Sequence, residues 1–207
     1  MSTSKYPVLT VGHSTHSAEA FEALLKQHGV TTVADVRSAP YSRFNPQFNR
    51  EVLERYLIVR GMKYVFLGRE LGARSDDRSC YENGRVLYAR LACTESFRSG
   101  IDRVAAHANE DRVALLCAEK EPLECHRTLL VARALVRRGI FVGHILMDGR
   151  LEAHDATIDR LFGVLHLSER DLFRSRAELI DEAFVRQEQR VAYIDEKLVA
   201  DAAQEIP

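Results

Sequence analysis

The 207-residue sequence lacks a long hydrophobic run, and its N-terminus has no basic region followed by an apolar stretch and a cleavage site. A membrane-spanning helix needs about 20 consecutive apolar residues, and a secretory signal needs the second pattern. These two absences argue against a membrane protein and a secreted protein, so we expect a cytoplasmic one. With 46% hydrophobic and 29% charged residues, the composition is that of an ordinary globular protein.

Cysteine is scarce, and neither sign of charge dominates. The four cysteines, at positions 80, 93, 117 and 125, are too few for a disulfide framework in a chain of this length. An important cysteine is therefore expected to be a ligand or a reactive group. Lys and Arg number 29 against 30 Asp and Glu, which gives a formal net charge of −1. No global positive field for nucleic acid follows from such a balance.

Glycine-rich phosphate loops are missing as well. After Gly12 the next glycine is Gly29, and neither G-x-G-x-x-G nor G-x-x-x-x-G-K-[ST] occurs. These motifs carry the backbone turns that hold dinucleotides and nucleoside triphosphates. The sequence therefore gives no support to nicotinamide, flavin or Walker-type chemistry, and it leaves the cofactor unknown.

What the sequence does contain is an alternation of short apolar runs and helical patterns. Residues 8–12 predict a buried strand, Ser17 an N-cap for a helix that Gly29 ends, and residues 31–37 a second strand. Such a unit implies a right-handed parallel crossover. Further strands are predicted at 63–67, 112–117 and 140–146, with helices at 50–60, 95–108 and 122–138 and an irregular excursion at 68–85. We therefore predict an α/β fold with a Rossmann-like parallel or mostly parallel sheet flanked by helices.

The pattern changes beyond residue 167. Apolar residues and one glutamine then recur at intervals of seven, four, three, four, three and four: Phe173, Ile180, Phe184, Gln187, Val191, Ile194 and Leu198. This spacing predicts one face of an amphipathic helix. We predict an α/β domain over residues 1–167 and a C-terminal helical extension over residues 168–207. The apolar face either folds back on the core of its own chain or forms a homodimer contact.

Polar residues follow the predicted strands at the points where those strands end. In a parallel α/β sheet, ligands bind at the carboxyl ends of the strands. Cys125, His126 and Arg127 come in the first turns of the helix predicted after residue 122, where free N–H groups favour anions and lower the pKa of a thiol. We expect these three to meet the strand-end residues at one edge: His13, Ser14, Asp35, Arg37, Cys117 and Glu119.

These residue types suggest separate catalytic and binding roles. Cys117 or Cys125 would be a nucleophile or a ligand, Glu119 or His126 a proton carrier, and Asp35 an orienting carboxylate. The substrate would be bound by four further residues: His13, Ser14, Arg37 and Arg127. A small anion, such as a nucleotide or a phosphorylated metabolite, and a hydrolytic or transfer reaction fit this set best.

Two alternatives remain open. A non-catalytic module that binds nucleic acid or a nucleotide would use the cations and aromatics that alternate after the second strand: Arg37, Tyr41, Arg43, Phe44, Phe48 and Arg50. A metal-dependent enzyme would use Cys117, Cys125 and His126, or His13 in place of His126. Because the spacing of the two cysteines matches no common structural metal motif, the sequence alone assigns no metal ligand.

Several separated motifs also resemble a known family. They are Gly12-His13-Ser14, Asp35-Val36-Arg37 with Pro40, Leu71-Gly72, and Cys117-Ala118-Glu119 followed by Pro122 and Cys125-His126-Arg127. In this order, over about residues 8–148, they resemble the widespread bacterial family catalogued as domain of unknown function 488. The resemblance implies a Rossmann-like α/β fold and the same nine site residues, but it implies no reaction.

Overall fold

The protein is described here by a computed structural model that covers residues 4–204. Eight strands occur in it: β1 (Val8–Gly12), β2 (Thr32–Asp35), β3 (Lys63–Phe66), β4 (Tyr81–Glu82), β5 (Arg85–Val86), β6 (Val113–Cys117), β7 (Val142–Ile145) and β8 (Leu151–Ala153). Six of them form one sheet in the order β3-β2-β6-β1-β7-β8. All neighbours in this sheet are parallel except β7 and β8. Strands β4 and β5 form a separate antiparallel hairpin.

Nine α-helices connect and cover these strands within residues 4–204. They are α1 (Ala18–Gln27), α2 (Arg50–Ile58), α3 (Gly68–Leu71), α4 (Tyr88–Ala92), α5 (Glu95–Glu110), α6 (Arg133–Arg137), α7 (His154–Val164), α8 (Arg176–Val191) and α9 (Glu196–Gln204). No helix in this part of the chain is long and apolar enough to cross a membrane.

Strands β1, β2, β6 and β7 are buried on both faces of the sheet. Alternate residues of each strand point to opposite faces. Leu9, Val33 and Leu116 pack with α1 and α2 on one face. Leu115 and its neighbours pack with α5, α6, α7 and α8 on the other face, where Phe184 of α8 is also buried. This layered arrangement confirms the predicted α/β fold with a mostly parallel sheet.

The helix predicted over residues 122–138 is wrong as a continuous element. Pro122–Glu124 form a 3-10 turn, Arg127–Ala132 form a π-helix, and only Arg133–Arg137 are α-helical. Cys125 separates the first two because its backbone is extended, with φ −136° and ψ 138°. Cys125 therefore precedes the helical segment, whereas His126, with φ −60° and ψ −25°, is its first helical residue. Short π-segments of this kind are frequent at functional sites.

The predicted C-terminal helix is interrupted. A capping box of Ser175 and Glu178 starts α8, and Ala192 leaves the helical conformation with ψ 143°. The next residues pair with the β4–β5 hairpin, since Tyr193 O accepts from Val86 N and Asp195 N donates to Gly84 O. These long-range bonds interrupt the helix that local periodicity predicts.

The apolar face of α8 packs on the core of its own chain. Leu179, Ala183 and Phe184 are buried there, whereas Phe173 lies before the helix and is 93% exposed. The domain boundary at residue 167 and a homodimer through this helix stay predictions.

Candidate active site

The sheet order places the functional strand ends side by side. Strand β6 lies between β1 and β2, and Gly12 is the register partner of Cys117 while Asp35 is the partner of Leu116. The chain therefore leaves three adjacent strands at the same level. This is the crevice position in which open α/β sheets bind their ligands.

The loop after β1 supports the segment after β6. His13 N donates to Cys117 O, and Ser14 N donates to Ala118 O, both at 2.9 Å. A Cβ atom added to Gly12 would lie 1.9 Å from the carbonyl oxygen of Glu119. Only glycine permits so close an approach of two backbones. The Gly12-His13-Ser14 motif thus holds the backbone that carries Cys117 and Glu119.

Two thiols, an imidazole and a carboxylate meet beyond this support. The ligand atoms of Cys117, Cys125 and His126 all lie within 4.8 Å of one another. His126 Nδ1 is 3.7 Å from Cys117 Sγ and 3.9 Å from Cys125 Sγ. Cys125 Sγ is also 3.0 Å from Glu119 Oε2. We refer to Cys117, Glu119, Cys125 and His126 as the edge cluster.

A backbone carbonyl fixes the His126 ring on the side away from the two sulfurs. Its Nε2 lies 3.0 Å from the carbonyl oxygen of Val36, which can only accept, so Nε2 carries the proton and donates. In the neutral ring, Nδ1 then presents its lone pair to the two sulfurs. The tautomer follows from these hydrogen-bond partners.

Charges within the cluster shift its pKa values in different directions. Burial raises the pKa of the Cys117 thiol, and the neighbouring Cys125 adds to this effect. Burial opposes ionisation of Cys125 too, but the Cys117 hydrogen bond, the Arg127 charge and His126 together hold its pKa well below the usual range. Burial and the proximity of Cys125 raise the pKa of Glu119. The cluster therefore favours one thiolate and one protonated partner.

Arg127 lies beneath the cluster. Its side chain is fully buried, with Nη1 donating to Glu119 O at 2.5 Å and Nη2 to Lys120 O at 3.3 Å. Its backbone N–H points at Cys125 Sγ, 3.4 Å away. Arg127 is thus a positioning residue, and its buried charge favours an anionic sulfur nearby.

The edge cluster forms one wall of a cavity of about 320 Å³. The other walls come from the loop after β2, from the segment between α3 and α4, and from the C-terminal part of the chain. Its lining residues are Arg37, Ser38, Ala39, Tyr41, Ala73, Arg74, Tyr88, Cys117, Ala118, Glu119, Glu124, Cys125, His126, Val191 and Tyr193.

Hydrogen bonds hold the Arg37 side chain in place at the wall of this cavity. Its Nε and Nη2 donate to the two carboxylate oxygens of Asp35 at 2.9 and 2.5 Å, and Nη2 also donates to Phe48 O. Tyr64 donates its hydroxyl to the same carboxylate at 2.7 Å. Asp35 is completely buried and does not line the cavity. Its carboxylate therefore holds the Arg37 guanidinium in one orientation.

The comparisons with known proteins concern the same region. The family described as domain of unknown function DUF488 matches residues 17–134, more than half of the chain. The chain belongs to the DUF488 family. No curated protein matches it. A crystal structure from Shewanella putrefaciens CN-32, described as "Putative phosphatase (DUF442)", is similar with a TM-score of 0.41 and 11% identity over 93% of each chain. A similarity of this size carries no argument about function.

The nine predicted site residues divide into two groups in the structure. Five line the cavity: Arg37, Cys117, Glu119, Cys125 and His126. The other four lie behind it: His13, Ser14, Asp35 and Arg127. The His13 ring stacks on Phe48 with ring centres 4.3 Å apart, and burial together with the Arg37 charge lowers its pKa to about 4.

Sequence reasoning missed several residues that line the cavity of this DUF488 protein. Arg74, Tyr88 and Tyr193 carry no motif, and they come from segments far apart in the chain. Arg74 lies over the Tyr193 ring at 4.5 Å from its centre. Only Tyr41, one of the aromatics noted after the second strand, could have been found from local composition.

Proposed function

We propose that this DUF488 protein is an enzyme that binds a small anionic molecule in the cavity and transforms it by hydrolysis or group transfer. One observation carries the proposal. Four side chains capable of nucleophilic, ligand or proton-transfer chemistry line one wall of a cavity that two arginines, Arg37 and Arg74, also line. Such convergence in a concave site at a strand-end edge is typical of active sites.

The arginines would hold the anion. Arg37 has two of its donor groups committed to Asp35 and Phe48, while its Nη1 has no hydrogen-bond partner among residues 4–204. A guanidinium fixed in this way loses little freedom when it binds a phosphate or a carboxylate. Arg74 supplies a second cation, and Tyr41 and Tyr193 add aromatic surface for the rest of the substrate.

The edge cluster would carry out the reaction. Cys125 is the nucleophile or a ligand, and Glu119, 3.0 Å from its sulfur, is the side chain placed to take up or deliver a proton. The positions of His13, Ser14 and Arg127 behind the cavity support positioning roles for them. This refines the direct substrate contacts that residue type alone suggests.

A ligand screen followed by turnover assays tests the proposal. Nucleotides, sugar phosphates and small carboxylates are scored by thermal shift, since a ligand at about 100 times its Kd stabilises the native state by about 2.7 kcal/mol. We expect a hit that Arg74→Ala weakens by about tenfold or more, since a charge-assisted hydrogen bond is lost. Arg43→Ala removes an exposed arginine outside the cavity and is the matched control.

Turnover of the hit then separates an enzyme from a binding module. Glu119→Gln should abolish conversion while retaining most of the binding, and Cys93→Ser, an exposed cysteine outside the cavity, should change neither. A ligand that binds but is never converted would support the non-catalytic alternative. If no anion binds, or if Arg43→Ala weakens binding as much as Arg74→Ala does, the cavity is not the anion site.

A further inference from the structure

We propose that Cys117, Cys125 and His126 together bind one zinc-type divalent ion, with a fourth coordination position that faces the cavity. The inference deepens the proposed function, on which it rests for its chemistry, because it states how the edge cluster acts. Two thiolates and an imidazole are the ligand types that zinc prefers over magnesium or calcium.

The distances between the ligand atoms fit a tetrahedral ion. Zinc lies about 2.3 Å from sulfur and about 2.1 Å from nitrogen, so two such ligands of one tetrahedral ion are about 3.6 Å apart. His126 Nδ1 lies 3.7 Å from Cys117 Sγ and 3.9 Å from Cys125 Sγ. Both nitrogen–sulfur separations thus match a tetrahedral ion. The two sulfurs lie within 4.8 Å of each other, against about 3.8 Å in such a site, so an approach of at most about 1 Å completes the geometry.

The imidazole is oriented as metal-ligating histidines usually are. Such a ring commonly donates its second N–H to a carboxylate or to a backbone carbonyl, which fixes both tautomer and direction. His126 has this arrangement, because Nε2 lies 3.0 Å from Val36 O and Nδ1 faces the sulfurs. Both ring nitrogens of His126 thus have defined neighbours, the Val36 carbonyl at Nε2 and two thiols at Nδ1.

The backbone under the ligands is held in place before any ion binds. Cys117 ends the central strand β6 and is in register with Gly12 of β1. Cys125 donates its N–H to Pro122 O, and its carbonyl accepts from Thr128 N and Leu129 N. The ligands therefore come from a rigid strand end and a fixed turn, although their sequence spacing matches no common structural zinc motif.

The local charges are also compatible with an ion. Two thiolates neutralise a divalent cation, so the buried Arg127 guanidinium next to them is not opposed by a net positive centre. The three ligands and Glu119 all line the cavity. An ion held by three protein ligands with one open position is the arrangement of catalytic rather than structural zinc sites.

A water molecule in the open position would supply the nucleophile. The ion would make this water acidic enough to lose one proton to Glu119, and the water oxygen would bond to the electrophilic atom of the substrate. The bond to the leaving group would break, and the leaving group would take the proton from Glu119. The balance is that of a hydrolysis, in which one water is consumed and no electrons are exchanged.

Metal content and cysteine alkylation test the site without any assay of activity. The full-length protein is reduced, loaded with Zn²⁺, desalted and analysed for bound metal, and Co²⁺ loading is followed by the visible absorption of a tetrahedral thiolate complex. We expect about one ion per chain in the unaltered protein and in Cys93→Ser. Cys125→Ser and His126→Gln should lose at least tenfold in affinity, since each removes one of three ligands.

Alkylation provides a second measurement on the unaltered chain, in case a ligand variant fails to fold. Bound zinc should protect positions 117 and 125 from iodoacetamide, while the exposed Cys93 reacts equally with and without zinc. Failure to bind zinc or cobalt, or unchanged binding in folded Cys125→Ser, overturns the metal site. Turnover by a metal-free protein that is lost in Cys125→Ser also overturns it, but leaves the proposed function with a thiolate nucleophile. Zinc binding without turnover of any substrate overturns only the proposed function.

Discussion

Two buried polar clusters lie against the same sheet and differ in their partners. In the edge cluster, His126 faces two thiols and opens onto a cavity. In the second cluster, His144 of β7 lies with Nδ1 2.9 Å from the Thr10 hydroxyl and Nε2 3.0 Å from His154 Nδ1. We call Thr10, His144 and His154 the interior cluster.

Both histidines are buried, but their pKa values shift in opposite directions. Burial opposes the charge on both imidazoles, but the hydrogen bond and charge of Cys125 outweigh it and raise the pKa of His126. Burial and the neighbouring His154 lower the pKa of His144 well below its usual range. A buried histidine is therefore informative only together with its partners. The interior cluster completes its own hydrogen bonds, whereas the groups of the edge cluster line a cavity.

Among the substitutions near the edge cluster, Gly12→Ala should destabilise the protein most. The added Cβ would meet the Glu119 carbonyl oxygen at 1.9 Å, a backbone atom that cannot rotate away. We expect a loss of about 3 kcal/mol in the free energy of unfolding, at the upper end for overpacking. Denaturant titration measures it. Gly163→Ala in helix α7, with nothing within 4 Å of its added Cβ, is the control and should stabilise by about 0.5–1 kcal/mol. Equal effects of the two substitutions would contradict the close approach of the Gly12 and Glu119 backbones.

Arg127→Met tests whether the buried guanidinium supports the edge cluster. It removes the donors to the Glu119 and Lys120 carbonyls and the charge beneath Cys125. We expect a loss of about 2 kcal/mol by denaturant titration, because the two part-buried hydrogen bonds of the guanidinium are lost, each contributing about 1 kcal/mol. Arg127→Lys keeps the charge and should lose less. A Met variant as stable as the unaltered protein would show that the loop needs no such support.

The interior cluster should be visible in the pH dependence of stability. Because the pKa of His144 is lowered in the folded state, unfolding takes up protons as the pH falls. The contribution to stability is full above the ordinary histidine pKa of about 6.5 and is lost below it. Each proton taken up adds a slope of about 1.4 kcal/mol per pH unit. Measured between pH 7.5 and 5, the slope should become shallower in His144→Gln but not in His166→Asn, an exposed control. Equal slopes would contradict the prediction.

Thr10→Val should have the smallest effect on stability, and it tests directly whether the interior cluster and the edge cluster are independent. It removes the hydroxyl that partners His144 Nδ1 at nearly constant volume. We expect a loss of about 1 kcal/mol, the value of one buried hydrogen bond. Ligand binding and metal content should not change. A variant that loses either one would show that the two clusters are coupled.

The local parts of this fold could be predicted from the sequence. The apolar run of residues 8–12, the Ser17 cap and the turn at Gly29 each depend on neighbours in the chain, and the structure has β1, α1 and β2 there. The prediction failed where contacts with distant segments determine the backbone conformation. The hairpin that pairs with Tyr193 breaks the C-terminal helix, and the extended Cys125 divides the helix predicted after Pro122.

The candidate site, too, could be predicted only in the parts that depend on local sequence. The strand-end rule selected Arg37, Cys117 and Glu119, because a parallel sheet brings its carboxyl ends to one edge whatever the strand order. Strand order itself, with β6 inserted between β1 and β2, leaves no local pattern. The cavity side chains from remote segments, such as Arg74 and Tyr193, depend on that order and on the packing of α8.

The C-terminal wall of the cavity lies outside the part of the chain that matches the family, and this separation bears on how the protein can evolve. The DUF488 match ends at residue 134, yet Val191 and Tyr193 complete the cavity from outside it. The backbone of Tyr193 pairs with the β4–β5 hairpin, and in α8 the Glu188 carboxylate accepts the N–H of Tyr88. A recombination event that replaced the end of the gene would reshape the cavity and leave the edge cluster intact, so under the proposed function substrate preference and chemistry would be inherited separately.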